Sequence, residues 1–135
     1  MPLRYLLDTN IISDLVRRPG GSVATRIGAV GERCICTSIV VAAELRYGAV
    51  KSESTQLYDR VSLLLSALEI LPLEPPADQR YADVRHHLAL RGTPIGPNDL
   101  LIAAHALAAD LTLVTANTDE FQRVPSLRVE NWLSG

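Results

Sequence analysis

Five acidic residues sit where a folding chain has reason to place chemistry: Asp8, Glu44, Asp99 and the adjacent pair Asp119 and Glu120. Asp8 directly follows a short apolar run, Leu3–Leu7, that reads as a buried strand. Glu44 interrupts the apolar segment Val40-Val41-Ala42-Ala43-Glu44-Leu45, where an unpaired carboxylate is costly to bury. Asp99 falls in the first turn of the most apolar helical segment of the chain, and Asp119 and Glu120 lie just past a third apolar run, Thr112–Thr115. Each acid also has an ordinary reading. Asp8 suits a helix N-cap, and Asp99 complements a helix dipole, with Asn98 as the natural cap. Glu44 can face solvent or pair with Arg46 or Arg91, and Asp119 and Glu120 can be solvated loop charges.

Taken together the acids point elsewhere. In an open α/β sheet, functional groups gather outside the carboxyl ends of the strands, and these acids lie at strand or helix ends on what should be one edge. Converging carboxylates repel and do not all stay ionised without a nearby cation. The cation matched to oxygen-only donors is hard and divalent, Mg²⁺ or Mn²⁺. Such an ion suits phosphodiester cleavage, where it activates water and neutralises phosphate charge. The formal charge of −2 argues at first against a polyanionic substrate. Setting Asp8, Glu44, Asp99 and Glu120 apart leaves 11 acids against 13 basic residues, so the rest of the chain is mildly basic.

The elements that must position these residues alternate. Residues 3–7, 33–38, 69–73 and 112–115 read as short strands, with a weak last strand at 127–129. Helical patterns run over 9–18, with Thr9 or Asn10 as its cap, and over 22–30, 40–50, 54–68, 77–91 and 98–110. The 54–68 segment carries a stripe of Leu57, Val61, Leu64, Leu65 and Leu68, mostly core. Residues 116–120 read as a polar stretch, and Trp132 as a packing anchor. Alternation of this kind predicts an α/β domain with a mostly parallel, short-stranded sheet flanked by helices on both faces. The 135 residues suit one domain, spanning 1–135, with no repeat or linker.

Several other chemistries are disfavoured. Aromatics are 4% of the chain, too few for binding nucleic acid by base stacking. Cys34 and Cys36 lack the second pair that a zinc site needs and read as buried strand thiols in a reducing, cytoplasmic setting. No apolar run is long enough to span a membrane, and residues 1–7 lack the length and cleavage site of a signal peptide. His86, His87 and His105 form no metal pattern, with His105 expected away from the acids. There is no nucleophile elbow and no phosphate-binding glycine loop. A phosphoryl-accepting receiver or phosphatase is a rival, but Asp8 is followed by Thr-Asn and Lys51 is the sole lysine. A non-catalytic module that binds RNA or a protein is the other.

Four segments carry a resemblance: LLDTNIISDL (6–15), SIVVAAELRYGA (38–49), IGPNDLLIAAHALAADLTLVTANTDEF (95–121) and VPSLRVENWL (124–133). In order and separation they resemble the PIN-domain ribonucleases, and among these the VapC-type toxins of toxin–antitoxin systems. The resemblance implies a three-layer PIN-like fold, an acidic site for Mg²⁺ or Mn²⁺, and endonucleolytic cleavage of RNA. Asp8, Glu44 and Asp99 match family acids, with Asp8 and Asp99 implied as the principal metal ligands; Arg46 and Gly48 fall inside the E-L-x-x-G motif. Thr115, Asn117, Glu120 and Phe121 match T-x-N-x-x-[DE]-F. The match favours Glu120 as the fourth acid, but Asp119 stands where a basic residue is common, and that departure leaves the role open between Glu120 and Asp119. Thr9, Asn10, Ser38, Thr115, Asn117 and Asp119 are candidates for positioning water or phosphate; Arg17, Arg18 and Arg46 are candidates for RNA contact. The resemblance also implies a homodimer and a cognate antitoxin protein as partner.

Overall fold

Five short strands meet side by side at the centre of the computed structural model, which describes residues 2–133. They are β1 (Tyr5–Leu7), β2 (Ile35–Ser38), β3 (Glu69–Leu71), β4 (Thr112–Val114) and β5 (Val129–Glu130). Their order is β3-β2-β1-β4-β5, and every pairing is parallel. Met1, Ser134 and Gly135, which the single-domain expectation includes, lie outside the described residues. Helices flank the sheet in a three-layer α/β arrangement. They are α1 (Thr9–Arg17), α2 (Ser22–Val30), α3 (Ile39–Ser52), α4 (Thr55–Ala67), α5 (Ala77–Leu90), α6 (Pro97–Ala108) and the single turn α7 (Thr118–Phe121).

The strand sequences explain their place. β1 is apolar throughout and buried throughout, as a strand covered on both faces requires. Leu6 and Leu7 are fully buried, each removal from water contributing about 1.5–3 kcal/mol. Trp132 is buried edge-on against Tyr5, with ring centroids 5.1 Å apart, and so packs as expected. Helix α6 is buried at Leu100 and continuously from Ile102 to Ala106, matching its nearly all-round apolar sequence.

The strand order places the site. From β1 the chain builds outward through β2 to β3, then returns to the other side of β1 to add β4 and β5. The direction of winding therefore reverses between β1 and β4. At such a switch point the loops after the two strands part and leave a crevice. Asp8 follows β1 and Thr115 follows β4, with Leu7 and Val114 in register.

Some boundaries differ from the sequence reading. β2 starts at Ile35 because Glu32–Cys34 closes a 3-10 turn. β5 falls at Val129–Glu130, later than residues 127–129. The cap of α1 is Asp8, whose side chain accepts the Thr9 N–H, so neither Thr9 nor Asn10 caps it. α6 opens earlier than expected: Gly96 is its cap and Pro97 occupies the first turn. Proline's missing N–H and fixed φ suit that position. Asn98 consequently lies inside the helix with its side chain free for other work. No helix among the described residues is long and apolar enough to cross a membrane.

Candidate active site

Asp8 is buried to 3% exposure at the end of β1. One carboxylate oxygen accepts the Thr9 N–H at 2.8 Å, and the other accepts the Thr115 hydroxyl at 2.8 Å. Thr115, itself fully buried, also accepts the Asn117 N–H at 3.0 Å. Asn10 reaches across the crevice: its carbonyl oxygen takes the Ala116 N–H at 3.0 Å, and its amide lies 3.5 Å from both Asp8 and Thr115. The loops after β1 and β4 are thus laced together around one carboxylate.

Glu44 projects from α3 toward the same place. Its two oxygens accept the Thr9 hydroxyl at 2.5 Å and the Asn98 amide at 3.2 Å. Glu120, on α7, accepts the Gly96 N–H at 3.1 Å and the Asn117 side-chain amide. Asp99 completes the set from the first turn of α6.

The electrostatics show that these are neighbours. Asp99 has its pKa pushed up to about 7 from 3.8, first by burial, then by the Glu120 carboxylate with which it shares a hydrogen bond, then by Asp8 and Glu44. Asp8 is also raised: burial outweighs the Thr115 and Thr9 hydrogen bonds, and Glu44 and Glu120 add repulsion. Among the described residues the ion pairs are Arg18–Asp14, Arg26–Glu130 and Arg128–Asp110, so none of the four acids is ion-paired.

Asp8, Glu44 and Asp99 open into a cavity of about 710 Å³. Thr9, Asn10 and Asn117 line its polar end, and Leu45, Leu57 and Val61 continue it along α3 and α4. No three of the described His, Cys, Asp and Glu side chains are close enough, as placed, to clasp one ion by themselves. The donor set nevertheless suits a hard divalent cation. It is all oxygen, it concentrates negative charge, and among the described residues no ion pair offsets that charge.

The remaining expected residues fall into two groups. Arg17 lines the cavity, whereas Arg46 is exposed on α3 outside it, and Arg18 lies 3.6 Å from the buried Asp14 one turn earlier. Asp119 is exposed, while Glu120 beside it is half-buried and turned toward Gly96 and Asp99. Ser38 does not reach the cavity. It is fully buried, caps α3 through the Val40 N–H, and lies 2.7 Å from His105. Asn98 and the Gly96 N–H, which orient Glu44 and Glu120, were not among the expected residues. The Gly-Pro-Asn-Asp opening of α6 was the available signal, since a helix capped by Gly96 leaves that N–H free for Glu120 and places Asn98 on the site.

The chain as a whole has counterparts among known proteins. Residues 5–127 match the PIN domain family model. Ribonuclease VapC2 of Rickettsia felis is 39% identical over 130 residues, covering 95% of this chain and 97% of that one. A protein of Shigella flexneri named tRNA(fMet)-specific endonuclease VapC is 37% identical, covering 96% and 98%. The crystal structure of VapBC2 from Rickettsia felis bound to a promoter DNA fragment contains a chain that superimposes with a TM-score of 0.89 at 38% identity, covering 98% of this chain and 99% of that one. A PIN fold over nearly the full length, four acids at its switch point and this degree of identity place the chain in the PIN-domain family, among the VapC ribonucleases.

Proposed function

We propose that the chain is a Mg²⁺- or Mn²⁺-dependent endoribonuclease and the toxin of a toxin–antitoxin pair. The observation that carries this reading is the convergence of Asp8, Glu44, Asp99 and Glu120, with no ion-pair partner among the described residues, at the β1/β4 crevice of a PIN domain. Asp8 and Asp99 would hold the cation, and Glu44 and Glu120 would complete the acidic shell. When bound, the cation lowers the pKa of water and offsets charge on the scissile phosphate.

The chain's own groups do the positioning. Thr115 and the Thr9 N–H fix both oxygens of Asp8, so its carboxylate keeps one orientation. Thr9 and Asn98 hold Glu44, and Gly96 and Asn117 hold Glu120. Asn10 sets the distance between the β1 and β4 loops. Arg17 at the rim is placed to meet a backbone phosphate, and Arg46 and Arg18 extend that basic character outward. Cleavage by in-line attack of water would leave a 5′-phosphate and a 3′-hydroxyl.

The partners follow from the relatives. Solved neighbours from Rickettsia felis and Salmonella typhimurium are VapBC complexes, so a cognate antitoxin is the expected protein partner; a homodimer is the toxin unit that the sequence resemblance implies. Two relatives named for tRNA(fMet) make that tRNA the first substrate to test. A cytoplasmic location suits both RNA and antitoxin.

The test is incubation of the purified chain with total bacterial RNA and with initiator tRNA, in Mg²⁺, Mn²⁺ or EDTA, beside Asp99→Ala. Discrete fragments that require the cation and vanish in the variant are expected. RNA retained without cation-dependent cleavage would instead support a non-catalytic binding module.

A further inference from the structure

His105 is the buried histidine of the described chain, 4% exposed on α6, and it touches none of the four acids. Its Nδ1 lies 2.7 Å from the Ser38 hydroxyl, which is fully buried at the start of α3. The Ser38 oxygen already accepts the Val40 N–H at 3.1 Å. The Pro72 carbonyl just past β3 favours the protonated ring and so faces a ring N–H; with Nδ1 at Ser38, that N–H is on Nε2, and Nδ1 of the neutral ring accepts the Ser38 proton. One neutral ring thus links α6 to the cap of α3 and faces the end of β3.

The two helices tied in this way carry two of the acids. Glu44 lies on α3 and Asp99 on α6. Among the described residues, two side-chain hydrogen bonds join these helices or their caps: Asn98 to Glu44 at the exposed mouth of the site, and Ser38 to His105 in the interior. His105 is six residues beyond Asp99, about 9 Å along the axis. One tie lets a helix pivot, whereas two separated ties define its direction. The neighbouring Thr37 donates to the Leu7 carbonyl at 2.7 Å, so the same end of β2 is also fastened to the residue before Asp8.

We propose that Ser38 and His105 are a positioning pair whose buried hydrogen bond sets the spacing of Glu44 and Asp99, and with it the capacity of the acid cluster to hold a divalent cation. This rests on the nuclease reading above. Neither residue touches substrate; both act through the helices they join.

The test is Mn²⁺ titration of the full chain, followed by the resonance of free Mn²⁺, with cleavage of an initiator tRNA transcript measured alongside. The variants are Ser38→Ala, His105→Leu, the double variant, and the conservative Ser38→Thr and His105→Asn, which keep a hydroxyl and an acceptor. Ser38→Ala and His105→Leu should each weaken Mn²⁺ binding about fivefold or more and lower kcat about tenfold, with KM within about twofold; the double variant should be no worse than either single one. Ser38→Thr and His105→Asn should recover to within about threefold of the wild type. A lower melting temperature with unchanged Mn²⁺ affinity and kcat, or single effects that multiply in the double variant, would overturn the pairing and leave the nuclease reading intact. A wild-type chain that neither binds Mn²⁺ nor cleaves RNA would remove both. Should His105→Leu fail to fold, Ser38→Ala against Ser38→Thr makes the same comparison.

Discussion

Asp99 is the residue at which stability and function pull apart most clearly. Its acid is raised from 3.8 to about 7 by burial and by three neighbouring carboxylates, Glu120 foremost. A raised acid favours the folded state at low pH, and that contribution is lost as the pH climbs through about 7. In EDTA at pH 8, Asp99→Asn should therefore melt about 3 °C or more above the wild type, and the gap should close toward pH 4. The same variant should cleave RNA at least about 100-fold more slowly. A melting temperature that falls in the variant at pH 8 would mean that Asp99 is not under repulsion. Much of this was legible in the sequence, because Asp8, Glu44 and Asp99 each break an apolar context. The choice between Asp119 and Glu120 was not. It depends on the turn α7, which was read as a polar stretch; consecutive residues on a helix point about 100° apart, so one acid faces solvent and the other faces Asp99.

At the scale of elements, strand and helix order followed from apolar periodicity, and boundaries did not. The opening of α6 shows why. Asn98 is a good cap by residue type, but Pro97 suits the first helical turn and moves the cap back to Gly96. The Ser38–His105 tie was invisible for a different reason, since 67 residues separate the partners and local pattern carries no information about their meeting. It has a measurable consequence for packing. Burial lowers the pKa of His105 from 6.5, against the Pro72 hydrogen bond and the Glu74 carboxylate, which favour its charged form. A lowered base contributes stability above the unfolded value, and that stability drains away as the pH falls below 6.5. Protonation would also turn Nδ1 into a donor, leaving the Ser38 oxygen to accept from it and from the Val40 N–H at once. Urea denaturation in EDTA should therefore show the wild type losing stability relative to His105→Asn, which does not titrate, below about pH 6.5, the Asp99 contribution being common to both proteins. Identical profiles for the two proteins would show that His105 carries no linkage.

At the scale of the molecule, four elements deliver the four acids: the end of β1, then α3, α6 and α7, from residue 8 to residue 120. Nearly the whole chain must be wound correctly before those carboxylates meet, and the β3-β2-β1-β4-β5 order is what brings the two distant loops to one crevice. This sets the scale of any cation effect. A ligand bridging neighbours in one loop would stiffen that loop, whereas one bridging β1, α3 and α6 links the folding of both halves of the sheet. Binding only to the native state adds RT ln(1 + [L]/Kd), about 2.7 kcal/mol at a hundredfold excess over Kd. For a domain of this size that is a rise in Tm of roughly 8 °C or more. Calorimetry with Mn²⁺ against EDTA should show the rise as a shift of one cooperative transition. Asp8→Asn and Asp99→Asn should each abolish most of it, while Asp119→Asn, exposed on the far side of α7, should leave it intact. A rise that survives both site variants would place the cation elsewhere on the molecule, and a rise lost in Asp119→Asn would return that residue to the acid cluster.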